Sequence, residues 1–298
     1  LKLNRRLKVG VYLPRQISSF FAPLREGLRS AAASAHGVKV ELIFRDYPRM
    51  GQGDIKMIEE DLAQHYDAVV LAPADPIKFG PLLRRLAAAK IAVVCVATDA
   101  PQSERLASIS VDASTSGAIA AELLGRSIRE NASVAVVTGN LSTEDHAEKL
   151  RGFAATAAIL APHLSLLPVI ETNESPQEAH AAALSLLRRR PRPAGLYINT
   201  ANSLPVLRAL EERRLLGEIQ VITTDLFAEL VPLIQTGQVM ASLYQRPFTQ
   251  GKIAFEALAS FLVKGEHPAK TTRLAPHIVL RSNLALFTQQ IKSQEGES

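Results

Sequence analysis

The sequence predicts an α/β chain: two doubly wound, parallel-sheet lobes joined by a hinge that the chain crosses more than once. Short apolar runs repeatedly end on one polar residue. Val134-Ala135-Val136-Val137 reaches Thr138-Gly139-Asn140, the run 195–198 stops at Asn199, 221–224 at Asp225 and 241–244 at Gln245. Runs too short for helices, with helical stretches between them, read as strands buried on both faces of a parallel sheet. The intervening stretches carry apolar residues at helical spacing, as in Ala118-Ile-Ala-Ala-Glu-Leu-Leu-Gly125. Alternation of the two element types demands parallel strands flanked by helices. Finally, 298 residues exceed one typical core.

Taken in order, strands are expected over 7–13, 38–44, 68–72, 91–96 and 107–111, then over 132–138, 165–170, 194–198, 219–224 and 240–244. Helices fall between most of them, at 21–35, 53–64, 78–89, 114–129, 144–160, 177–189, 202–214, 227–236 and 248–264. The ten strands divide into two sets of five near Val111-Asp112. No Gly/Pro-rich linker marks that junction, so it reads as a hinge, with Asp112 a structural residue within it. A last helix at 248–264 and a strand at 273–280 are expected to return to the first set. The N-terminal lobe is therefore 7–111 with about 247–280, and the C-terminal lobe 112–246 with about 281–290. Residues 1–6 read as a linker remnant and 291–298 as a disordered tail.

Composition narrows the function classes. Apolar residues make up 47% and charged residues 21%, ordinary values for a globular chain. No run approaches the roughly 20 apolar residues needed to cross a bilayer, so no membrane partner is expected. A net charge of +5 does not by itself argue for nucleic acid, and Lys2, Arg5, Arg6 and Lys8 read as a solvated terminus. The first residue is Leu1 rather than Met, and a strand opens at Val9 with no apolar leader before it. Something upstream is expected to have been removed, either a signal peptide or a whole domain. The single cysteine, Cys95, lies in the apolar run 91–96 and reads as inert packing.

Enzymatic motifs are weak. Gly51-Gln-Gly53 offers two glycines of a dinucleotide fingerprint, but Lys56 stands at the third position and the strand is too distant. No phosphate-cradling loop, nucleophile elbow or His-Glu-x-x-His sequence occurs. The seven histidines have no metal-ligand spacing, and His146 beside Asp145 reads as a solvated first turn of a helix. No catalytic residue, metal or cofactor is expected.

Several segments share their order with a known group. Ser18-Ser-Phe-Phe-Ala-Pro-Leu-Arg-Glu-Gly27 resembles a first-loop motif in which paired aromatics precede the first helix. Segments 98–105 and 111–117 resemble the one after the fourth strand and the lobe crossover. Lys149-Leu-Arg-Gly-Phe153 is similar to a basic-residue/Gly-Phe motif, and Gln245-Arg-Pro-Phe-Thr-Gln-Gly251 is a close match. Together they resemble the type I periplasmic-binding-protein fold, shared by bacterial sugar receptors and the effector domains of lactose-repressor (LacI/GalR) family regulators. The resemblance implies a ligand cleft between the lobes, touched by Ser18, Phe20, Phe21, Asp99, Lys149, Asn199, Asp225 and Gln245. Carboxylates and amides suit hydroxyls that donate and accept, and phenylalanine or Tyr12 offers a flat partner to a sugar ring. Lys149 replaces the arginine of many relatives, exchanging a fork for a point charge.

Each assignment has a structural rival. Asp225 could cap helix 227–236 and Asn199 helix 202–214. One of Phe20 and Phe21 belongs to the core and one to the pocket, Lys149 could be solvated, and Asp99 could serve a turn. Of the two binding classes, the reading taken is the LacI-family regulator core: a cytoplasmic homodimer binding a monosaccharide, polyol or sugar derivative. It would reach operator DNA only through a missing N-terminal headpiece. Leu3-Asn-Arg-Arg-Leu-Lys8 and segment 276–283 carry that preference. The alternative is a periplasmic sugar-binding protein of an ABC transporter.

Overall fold

A parallel strand needs both faces covered, and alternate residues of each strand here supply the two faces. The computed structural model describes residues 6–35, 39–61 and 65–288. The chain divides into two compact units. The first holds the chain up to Val111, then Ser142–Asp145 and Arg246–Leu274; the second holds Asp112–Leu141, His146–Gln245 and the chain from Ala275 on. The architecture is the two-lobe, parallel-sheet α/β fold that the sequence predicts.

In the first unit the elements run β1 (Leu7–Pro14), α1 (Ser18–Ser34), β2 (Val40–Tyr47), α2 (Asp54–Asp61), β3 (Ala68–Leu71), α3 (Pro76–Ala88), β4 (Ala92–Val96) and β5 (Ala107–Val111). They are completed by α9 (Pro247–Lys264) and β12 (Thr271–Leu274), after the intervening elements of the second unit. The sheet order is β12-β5-β4-β3-β1-β2, parallel at every pairing. Val9, Val11, Val70 and Val94 pack with α1 and α9 on one face. Their neighbours Tyr12, Val69, Val93 and Cys95 pack with Phe79 and Leu82 of α3 on the other.

The second unit repeats that winding. It comprises α4 (Ala113–Ser127), β6 (Ala132–Thr138), α5 (Glu144–Leu160), β7 (Leu164–Leu166), β8 (Ile170–Glu171), α6 (Pro176–Leu186), β9 (Gly195–Ile198), α7 (Leu204–Glu212), β10 (Gln220–Thr224), α8 (Leu230–Gln235), β11 (Ala241–Tyr244) and β13 (His277–Val279). The order is β13-β11-β10-β9-β6-β7, with β8 also on β6 and only β13 antiparallel. Ala135, Val137, Leu196 and Ile198 face α6 and α7, whereas Val134, Val136 and Tyr197 face the side of Phe153 and Leu124.

Two helix pairs meet at backbone distance, each through reciprocal glycines. A Cβ on Gly27 of α1 would lie 2.0 Å from Phe248 O, and one on Gly251 of α9 would lie 2.1 Å from Leu24 O. In the second unit Gly117 of α4 would meet Lys149 O at 1.8 Å, and Gly152 of α5 would meet Ser114 O at 2.0 Å. No other residue leaves room for such a crossing, and the second one fixes where Lys149 stands.

Several expectations need correction. The strand expected at 165–170 is two short pieces on one edge of β6, because Pro168 between them has no N–H for the ladder. The strand expected at 273–280 is likewise broken at Ala275-Pro276, and its halves β12 and β13 join different sheets. Helix α1 starts at Ser18, so Phe20 and Phe21 lie inside it rather than ahead of it, with both N–H groups donating to Ile17 O. The expected tail 291–298 lies outside the described residues, as does the remnant 1–6 apart from Arg6. Among the described residues, no helix is long and apolar enough to cross a membrane.

Gly117→Ala should cost about 1–3 kcal/mol of unfolding free energy, as overpacking against backbone does, read from urea titration. Burial pushes the Cys95 thiol up to about 12, with the Asp99 carboxylate adding to it. Cys95 should therefore resist a thiol reagent at pH 8 in the folded protein and react fully in denaturant.

Candidate functional site

Parallel strands release the chain at their carboxyl ends, and in the second unit the polar residues gather there. At the end of β10 the chain turns through Asp225 in the left-handed region (φ 65°), which a short polar side chain tolerates better than most. Its N–H donates to Leu243 O at 2.9 Å, and Ser242 Oγ donates to its carbonyl. The carboxylate turns toward the end of β11: Oδ1 accepts from Gln245 N at 3.1 Å and Oδ2 from Gln245 Nε2 at 2.8 Å. Gln245 is thereby oriented so that Oε1 accepts from Lys149 Nζ at 2.9 Å. Lys149, on α5, is only 1% exposed, so the expected rival reading of a solvated lysine is corrected. Its ammonium enters this network because α5 crosses α4 at Gly117.

Asn199 follows β9. Its N–H donates to Val137 O, its Nδ2 donates to His146 O at 3.3 Å, and Oδ1 is buried with no hydrogen-bond partner. The capping rivals do not hold for either residue. Helix α7 begins only at Leu204 and α8 at Leu230, out of reach of a cap at positions 199 and 225.

Beside Asn199 stands a cluster that the sequence reading missed. Thr200 Oγ1 donates to the Glu174 carboxylate, 2.9 Å from Oε1 and 2.8 Å from Oε2. His146 Nε2 lies 3.3 Å from Glu174 Oε1, and its Nδ1 lies against Asn140. His146 is thus buried and partnered rather than solvated, because the turn after β6 folds back over its ring. Glu174 ends the polar run Glu171-Thr-Asn-Glu174 just after β8, the same strand-end signal that marked Asn199. The break at Pro168 concealed that strand end.

The first unit treats its expected residues differently. Phe20 and Phe21 make an edge-to-face pair at 4.9 Å within the core cluster of Leu24, Leu28 and Val96. Tyr12 is fully buried and donates to Asp61 Oδ2 at 3.1 Å, so the stacking face expected of it is taken up by packing. Asp99 forms a buried two-point ion pair with Arg105, whose Nη2 lies 2.6 Å from Oδ2, and accepts from Ala100 N. Ser18 is exposed at the first turn of α1. Asp112, the first residue of the second unit, caps α4 by accepting from Thr115 N at 2.7 Å.

Chemically, the second unit offers an ammonium, two amides and a carboxylate at one sheet edge. These groups donate, accept or do both, as recognition of hydroxyls requires. The buried hydroxyl of Thr200 is bonded to the Glu174 carboxylate. Among the described residues, no three His, Cys, Asp or Glu side chains are grouped to hold a metal ion.

Comparison with known proteins bears on which class this is. Residues 9–267 match the family model of the periplasmic binding protein domain. The D-ribose/D-allose-binding protein of Pseudomonas aeruginosa is 21% identical over 271 residues, 88% of this chain and 83% of that protein. The glucose-galactose binding protein of Geobacillus stearothermophilus superposes with a TM-score of 0.85 at 21% identity, over 94% of this chain and 99% of the other. An ABC transporter solute-binding protein of Burkholderia graminis in complex with D-arabinose gives 0.84 at 23%, over 93% and 96%. These findings overturn the regulator reading: the matching family is that of the periplasmic binding protein domain, and the relatives are named as sugar-binding or solute-binding proteins, one of them of an ABC transporter. The LacI/GalR assignment, the homodimer, the operator DNA and cytoplasmic residence came with that reading and are withdrawn with it. The residues that carried the resemblance belong to the shared fold and do not separate its two uses. The family is one of binding proteins and not of enzymes, and this chain belongs to it: it is a member of the periplasmic binding protein domain family.

Proposed function

We propose that the protein is a sugar-binding receptor of an ABC-type transporter, acting in the periplasm and taking a neutral monosaccharide or a related polyol. The observation that carries this is the network Lys149–Gln245–Asp225 with the unpartnered Oδ1 of Asn199 beside it. Lys149 and Asp225 are connected through one amide and Glu174 adds a second carboxylate beside Asn199, so the balance of charge at this edge is not positive. That balance supports a neutral polyhydroxylated ligand over an acidic or phosphorylated one. Relatives named for ribose, allose, glucose, galactose and arabinose support the same class.

In this reading Lys149, Asn199, Asp225 and Gln245 contact the ligand directly. Ser18 adds a hydroxyl, one ring of the Phe20–Phe21 pair lies against the ligand while the other stays in the core, and Asp99 acts through its pair with Arg105. Asp112 serves the hinge by holding the start of α4. Ligand that binds only the folded state stabilises it, by about 2.7 kcal/mol at one hundred times Kd.

A thermal-shift panel of D-ribose, D-allose, D-glucose, D-galactose, D-arabinose, myo-inositol and the corresponding sugar acids and phosphates tests the proposal. At least one neutral member should raise Tm by several degrees, and a panel in which only the anionic members do so would refute the neutral class. Asp225→Ala should abolish that shift while the circular dichroism of the free protein is unchanged. Lys149→Met should also abolish it, and should cost about 1–3 kcal/mol in urea unfolding because the buried Lys149–Gln245 hydrogen bond is lost.

A further inference from the structure

The two ends of the Asn199 amide are chemically opposite, and what faces a ligand depends on which end is held. Nδ2 donates one of its two hydrogens to the carbonyl of His146, and a carbonyl can only accept, so the NH2 end is the end held there. Oδ1 is the end left over, and Asn199 is fully buried. Its place is set by neighbours from three separate elements. Thr200, the next residue, donates to Glu174 and accepts from Asn202 N at 3.1 Å, which ties down the chain leaving β9. Glu174 reaches the ring of His146, the residue whose carbonyl holds Nδ2. The Glu174 backbone is itself in the left-handed region (φ 55°), and its carboxylate lies over Gly139, where a Cβ would sit 1.9 Å from Oε1. Glu174 is 5% exposed and Thr200 1%.

Resting on the sugar-binding reading, we propose that Glu174, through Thr200 and His146, is a positioning residue that presents Asn199 to the ligand as a hydrogen-bond acceptor. The Glu174 carboxylate touches no ligand in this scheme. It holds both the residue after Asn199 and the residue whose carbonyl takes Nδ2, so the amide has one orientation. The specificity that follows is for a sugar with a hydroxyl that donates at this point. An analogue with fluorine there accepts but cannot donate, and it would face Oδ1 with no hydrogen to share.

The full chain tests this with Thr200→Val, which keeps the side chain's shape and removes the hydroxyl, and with Thr200→Ser, which retains it. The probes are the tightest-binding sugar of the five aldoses above and its set of monodeoxy-monofluoro analogues, measured by calorimetry. In the unsubstituted protein one fluoro position should bind about tenfold more weakly than the parent sugar, as loss of one hydrogen bond predicts. Thr200→Val should weaken the parent sugar by about tenfold and erase that position's penalty, while Thr200→Ser restores both. A Thr200→Val protein that keeps parent affinity and penalty overturns the proposal, and Thr200→Ala is read identically if the valine variant does not fold. The side-chain amide signals of Asn199 in NMR provide a readout on the free protein. Two well-separated, exchange-protected protons should collapse toward solvent-averaged values in Thr200→Val, and unchanged signals would overturn the proposal. Should no sugar bind the unsubstituted protein, the transport reading falls while these amide signals still decide the positioning role.

Discussion

A charged amine with almost no exposure is tolerable only where its hydrogen bonds are met, and Lys149 imposes that condition on the second unit. Its partner Gln245 is held by both oxygens of Asp225, and Asp225 holds them only because its backbone turns left-handed at the end of β10. The lysine in turn reaches Gln245 because α5 rides on α4 with no side chain between their backbones. A tight helix crossing, a strained turn and a buried ion thus support one another. Loosening any one would leave a desolvated polar group in the others.

The two units apply one winding scheme to different ends. Both use reciprocal glycines to bring a helix pair together and both place a left-handed residue after the fourth strand of the winding, Ala97 in one and Asp225 in the other. The first unit closes its carboxyl edge with apolar rings and an internal Asp99–Arg105 pair. The second leaves a buried acceptor unsatisfied at Asn199. It also gathers Lys149, Gln245 and Asp225 at that edge, which makes it the more polar of the two.

Much of this was legible in the sequence because two-sided burial leaves a plain mark. The run 134–137 is apolar at every position, since alternate residues enter opposite cores. The strand-end rule then pointed to Asn199, Asp225 and Gln245, whose side chains lie at that edge. It failed where a proline interrupted a strand. Pro168 hid the approach to Glu174, and Pro276 hid the parting of β12 from β13. His146 was misread because its burial comes from a turn and a loop distant in the chain, which helical periodicity does not encode. The choice between transport and regulation was illegible for a different reason. The chemistry that recognises hydroxyls is the same in either use, so the residues that could supply it do not record which use the protein serves.

The late return of the chain has a consequence for how the molecule is made. Helix α9, which seats Gly251 against α1, and strand β12, which flanks β5, lie beyond every parallel strand of the second unit. A ribosome therefore releases the amino-terminal sheet with one side of α1 bare and one strand edge unpaired. The parallel strands of the second unit are all made before α9 emerges, so they can pair while the first sheet is still incomplete. Closing so long a loop adds little to the equilibrium cost but slows the search. During that interval the nascent first sheet is the part of the chain most in need of shielding from other chains.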